Sequence, residues 1–196
     1  MTKQTINVHI PEWWIEAILT DYSNIKILNE ELVKRYLNNA SLFLLMWELL
    51  KSSIIDSIKN FFISGYENWK WIISDGYNQN VLSLDKSRLK ASCIWSVDMQ
   101  IITQEDLFEI ERLNIARNDI AHRLADIVYK ENEDINDDDI LIIYWILSKV
   151  DKWWIENVEI PTDPDLYDKE IDSEGIMSWR MIITNYLLKT HLILTK

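Results

Sequence analysis

The sequence predicts an all-α chain: a helical bundle with further helices before and after it. Three observations predict it. Only three Gly and three Pro punctuate 196 residues, too few for the many turns of a β-rich fold. Hydrophobic residues make up 48% of the chain, enough for a sizeable core and too many for disorder. Long segments repeat apolar side chains at intervals of three and four, the period of a helix with one buried face. The length suits one domain over 1–196. Its bundle core is expected at about 38–158, with N-terminal helices at 11–37, an acidic linker at 160–175 and a C-terminal helix at 176–194.

Taken in order, Pro11 suits the first position of a helix whose apolar face is Trp13, Trp14, Ile15, Ile18 and Leu19. A break at Asp21 to Asn24 separates it from a second helix over Ile25 to Leu37, or the two form one bent element. Ala40 to Ser64 is the most apolar long segment. Phe43, Met46, Trp47, Leu50, Ile54, Ile58 and Phe61 follow helical spacing, and Gly65 is a natural cap. Glu67 to Ser74 reads as a short helix or an ordered loop, and Asp75-Gly76 as a turn. Ser83 or Asp85 caps a helix to about Val97 whose first half is basic through Lys86, Arg88 and Lys90.

Thr103 to Val128 reads as one long helix. Thr103 is its N-cap, Asp106 completes a capping box, and Gln104, Glu105 and Asp106 suit the positive end of the dipole. After the polar connector from Lys130 to Asp139, the next helix runs from about Asp137 to Asn157 on Ile140, Ile143, Tyr144, Leu147, Val150 and Trp154. Ile160 to Gly175 holds two of the three Pro among acidic residues and reads as a linker. Ile176 to Leu194 is the last helix, apolar enough to dock on the bundle or on a second subunit.

Charge and cysteine usage narrow the function classes. The net charge is −12. Residues 131–175 hold fifteen acidic side chains against three Lys, whereas the rest balances at seventeen of each sign. Such acidity disfavours non-specific nucleic-acid binding, but a local site near Arg112, Arg117 and Arg123 is compatible with the neutral remainder. Cys93 is the only cysteine, so no internal disulfide framework exists, which fits a reducing cytoplasm. The opening MTKQTINVHIPEWW lacks the pattern of a secretory signal, and no apolar run approaches a membrane span. A cytoplasmic protein without membrane contact is expected. The run after Lys130 lacks the Gly and Glu of a calcium loop, and neither a metal nor another cofactor is expected.

The long helix carries the chemistry. Arg117 falls within its apolar face, between Leu113, Ile120 and Leu124, where a cation requires a partner. Asn118 and His122 are four apart on one flank, and Glu111 lies on that flank too. The run Arg117-Asn118-Asp119-Ile120-Ala121-His122 resembles the R-x4-H motif of HEPN domains, in the form with a polar residue directly after the arginine. The resemblance rests on six residues in an all-helical setting. It implies a HEPN-like bundle that cleaves RNA without a metal, of the kind found in toxin–antitoxin and anti-phage systems. The implied roles are proton transfer by His122, phosphate binding by Arg117 and support by Asn118, at a composite site of a homodimer. RNA is then the substrate, and an antitoxin or defence-system protein a further partner.

Physical chemistry allows those roles. Histidine moves protons near neutral pH, and the arginine fork holds phosphate oxygens through two donors. Two other readings stand beside them. Arg117 is a structural ion pair within the bundle, with Glu48, Asp56 or Glu109 as partner. The chain is then a non-catalytic helical interaction or scaffold protein, to which its ten Trp and acidic segment would also suit.

Overall fold

The computed structural model describes residues 30–129, 136–166 and 177–194. The fold is all-α, with one small two-stranded sheet. The proposed helix at Pro11 to Leu19 lies outside the described residues.

Helix α1, Glu30–Phe61, is the spine. Its 32 residues span about 48 Å at 1.5 Å per residue. Glu30 and Glu31 open it and Lys59 closes it, each the favourable sign for the dipole. Tyr36, Ala40, Phe43, Met46, Trp47, Leu50, Ile54 and Ile58 form its buried face. The expected boundary between Leu37 and Ala40 is not there. Asn38 and Asn39 are weak helix formers, but Asn39 is buried and its amide donates to Asp137 Oδ1 at 3.3 Å, while Tyr36 and Ala40 continue the apolar face across the junction. Tertiary packing overrides local propensity here.

The helix ends at Phe61, short of Gly65, because the chain turns into a hairpin. Strands β1 (Ile63–Glu67) and β2 (Lys70–Ile73) pair antiparallel, with Tyr66 opposite Trp71 and Glu67 opposite Lys70. This corrects the reading of Glu67 to Ser74 as a helix or loop. Aromatic and β-branched residues favour strands, and a run this short carries too little periodicity to separate the two. Asn68 and Trp69 turn the hairpin at φ 51° and 62°, the pattern of a type I′ turn. Asp75-Gly76 is likewise a helix start and not a simple turn. Ser74 precedes the short helix α2 (Asp75–Tyr77), which passes into a π-helical turn at Asn78–Leu82. A side chain on Gly76 would come within 3.3 Å of the Phe62 ring, so a glycine permits this close approach.

Helix α3, Arg88–Asp98, starts later than Ser83 or Asp85. Ser87 is its N-cap and accepts from the Lys90 N–H at 3.4 Å, while Asp85 Oδ1 accepts the Ser87 N–H at 2.7 Å and closes the turn before it. Helix α4, Gln104–Tyr129, follows the expected bounds and has the expected capping box. Thr103 N–H donates to Asp106 Oδ2 at 2.9 Å, and Asp106 N–H donates to Thr103 Oγ1 at 3.2 Å. Helix α5, Asp137–Trp154, is capped by Asn136, whose side chain accepts the Asp138 N–H at 3.1 Å.

The expected linker from Ile160 begins in fact as helix. A π segment, Ile155–Glu159, extends α5 into a last turn at Ile160–Thr162. The wider turn stands where Pro161, which lacks an N–H, ends the regular bonding pattern. Helix α6 runs over Trp179–Leu194.

The spine packs along α5, α4, α3 and α6, so every other long helix touches it. Ile110 and Leu113 of α4, and Ile143, Leu147 and Val150 of α5, meet its apolar face in one cluster. Met181 and Thr184 bury α6 on the bundle, as the docking reading of this helix required. Phe61 and Phe62 clamp the C-terminal end of α1. Phe61 lies 5.9 Å from the Trp154 ring and 6.2 Å from Trp95, and Phe62 lies 5.8 Å from Tyr77. Among the described residues, no helix is long and apolar enough to cross a membrane.

Candidate active site

The motif sits in the second half of α4, and helical geometry decides where each side chain goes. Successive residues turn by about 100°. Arg117 and His122 therefore leave the helix about 140° apart, whereas Asn118 and His122 are neighbours one turn apart. Arg117 points to the packed side, as its place beside Leu113 and Ile120 predicts. Asn118 and His122 are exposed.

Arg117 is held at the α4–α1 contact. Its Nη2 donates to Glu48 Oε1 at 3.0 Å and its Nη1 to Asn118 Oδ1 at 3.2 Å. Its Nε is buried without a hydrogen-bond partner. The side chain remains 33% exposed, so the guanidinium is anchored from one side and reaches solvent from the other. Of the three carboxylates suggested as its partner, Glu48 is the one found. Glu109 is bonded to Arg112 at 2.8 Å.

Glu48 is shared, because Lys51 Nζ donates to its other oxygen at 3.0 Å. Burial pushes the Glu48 carboxyl up. Hydrogen bonds and charge from Lys51 and then Arg117 outweigh this and leave it below its ordinary value. Two cations around one carboxylate give the cluster a net charge of about +1, the sign a phosphate requires. Lys51 is a member that the sequence alone does not single out. Its spacing of three from Glu48 was a signal, but only the docking of α4 on α1 tells which exposed residues meet Arg117.

The remaining cations near the motif are committed elsewhere. Arg112 binds Asp139 at 2.7 Å as well as Glu109, joining α4 to α5. Lys90 of the basic strip pairs with Glu111 at 2.6 Å, and Arg88 donates to the Tyr77 hydroxyl at 3.2 Å. Two of the three basic residues around the start of α3, Arg88 and Lys90, are thus engaged in intramolecular bonds. One further feature was unforeseen: Arg123, directly after His122, has φ −117° and ψ 20°, which breaks the regular helix. His122 therefore closes the straight part of α4.

Two large apolar side chains of α4 are exposed as well. Phe108 is 60% exposed and Ile115 is 65% exposed. Phe108, Ile115 and His122 are seven apart, and with Glu111 and Asn118 between them they repeat as the seam positions of a coiled coil. Cys93 lies at the wall of a neighbouring cleft of about 420 Å³ between α3 and α4, also lined by Lys90, Glu111 and Asn114. Burial, with the Glu111 charge adding to it, pushes its thiol up to about 12, so it is no nucleophile. Among the described residues, no cluster of three or more His, Cys, Asp or Glu is placed to hold a metal ion. Comparison with protein-family models, with curated proteins and with solved structures returned no match.

Proposed function

We propose that the chain is a metal-independent endoribonuclease of HEPN type, with a site completed by a second copy of itself. The observation that carries this reading is the Arg117–Asn118 contact at 3.2 Å, one turn before an exposed His122, in a cluster of net positive charge. Arg117 and Lys51 supply charge for the phosphate, and Asn118 orients Arg117. One imidazole takes the proton from the ribose 2′-hydroxyl. The 2′-oxygen bonds to phosphorus as the bond to the 5′-oxygen breaks, and a protonated imidazole returns a proton to that oxygen. The products are a 2′,3′-cyclic phosphate and a 5′-hydroxyl. This step uses two histidines where one copy of the motif offers one. The exposed seam of Phe108 and Ile115 suits a copy that brings a second His122. A toxin or anti-phage role, with an antitoxin or defence-system partner, follows from the same resemblance.

RNA cleavage in EDTA tests the proposal. The parent is expected to leave 2′,3′-cyclic ends, and His122→Ala to lower the rate by about 10²-fold or more. His122 is exposed, so the variant keeps its fold. Equal cleavage by parent and variant sinks the assignment. A second reading, a non-catalytic interaction protein, is favoured by the Arg117–Glu48 pair, which fastens α4 to α1 whether or not RNA is bound. It gains if folded, dimeric parent leaves RNA intact.

A further inference from the structure

A second cleft, of about 410 Å³, opens where the C-terminal end of α1, the end of α5 and the start of α6 meet. Its size falls in the range of small-molecule sites. Asp151 lines it and is only 5% exposed. Among the described residues its carboxylate has no ion pair and no hydrogen bond. The carboxylate of a residue this buried ordinarily has a partner, and the oxygens of Asp151 are not sealed from the cleft. Arg180 of the same wall forms no ion pair with it and has its guanidinium over the Trp179 ring at 5.8 Å. Three aromatic residues, Phe61, Trp154 and Trp179, stand in the same wall.

We propose that this cleft binds a small organic cation, a free aliphatic diamine, through the Asp151 carboxylate. A carboxylate set among aromatic faces selects an organic ammonium. The ammonium gains a charge-assisted hydrogen bond and the rings' negative faces. Hard metal ions favour clustered carboxylates, and among the described residues no three or more His, Cys, Asp or Glu are grouped to hold one. An ammonium has three donors, and the Ser57 hydroxyl and the Asn60 amide oxygen stand at the same wall to accept the other two. The methylenes lie against Phe61 and Trp179. Glu159 at the rim meets the second charge.

Calorimetric titration of the full chain with putrescine at low ionic strength is the test. One-to-one, saturable binding is expected. Asp151→Asn weakens it by about tenfold or more, as loss of a charged hydrogen bond does. Trp179→Ala weakens it by roughly threefold, the scale of an exposed cation–π contact. Asp138→Asn removes the same charge from an exposed position at the far end of α5 and leaves the affinity unchanged. No saturable binding to millimolar putrescine overturns the proposal. Equal weakening by Asp151→Asn and Asp138→Asn also overturns it, since binding then follows net charge alone. Trp179 is exposed and its replacement does not endanger folding, so an unchanged affinity in Trp179→Ala is a third refutation even if Asp151→Asn fails to fold.

Discussion

Asp106 shows how much a single side chain can hold. It closes the capping box with Thr103 and takes Lys149 Nζ on both oxygens, at 2.8 and 2.9 Å. One carboxylate thus starts α4 and ties it to α5. Burial pushes its carboxyl up, but the bonds from Lys149 and Thr103 outweigh burial and hold it below its ordinary value. A folded-state value below the unfolded one, about 3.9, adds stability that is complete above that pH. The contribution fades as pH falls through that value toward the lowered one. Asp106→Asn is expected to lower the unfolding free energy by about 1–3 kcal/mol at neutral pH. Urea denaturation at pH 7 and pH 3 checks this, because the gap between parent and variant should close at the lower pH. The cap was legible in the sequence since it is local. So were Arg117, Asn118 and His122, and so was the choice of partners for Arg117. Lys51 was not, because its role depends on which face of α1 receives α4.

Among the elements, the hairpin departs furthest from expectation, and its turn is where strain is visible. Trp69 holds a left-handed φ of 62° and is 90% exposed, so its side chain contributes little packing there. The type I′ turn favours Gly at that position, and a non-Gly residue in this region costs about 1–2 kcal/mol. Trp69→Gly is therefore expected to strengthen the hairpin by about 0.5–1 kcal/mol. Slower amide exchange in β1 and β2 would show it. Faster exchange would mean that the indole has a packing role. The long helices were legible because each carries several turns of one period. The hairpin and the two π turns span five residues or fewer per segment, below the length at which period means anything. The boundary placed before Ala40 failed for a different reason: a pair of Asn residues looks like a stop until Asp137 accepts from the amide of one of them.

For the molecule as a whole, stability is concentrated on one helix. Leu50 sits at the middle of α1, wholly buried among residues of the common core. Leu50→Ala is expected to cost about 2–5 kcal/mol, a large share of the about 5–15 kcal/mol that holds a domain together. A lower denaturant midpoint with the slope unchanged would confirm the loss. A shallower slope would reveal that helices detach separately.

The spine has a further consequence, one of time. During translation α1 is complete at Phe61, yet α5, which lies along it, ends at Trp154. At about 5–20 residues per second, its apolar face emerges on the order of ten seconds before that cover exists. For that interval Phe43, Trp47, Leu50 and Ile54 form a greasy strip on a nascent chain. The early life of this protein is therefore expected to depend on what shields that strip until α5 arrives.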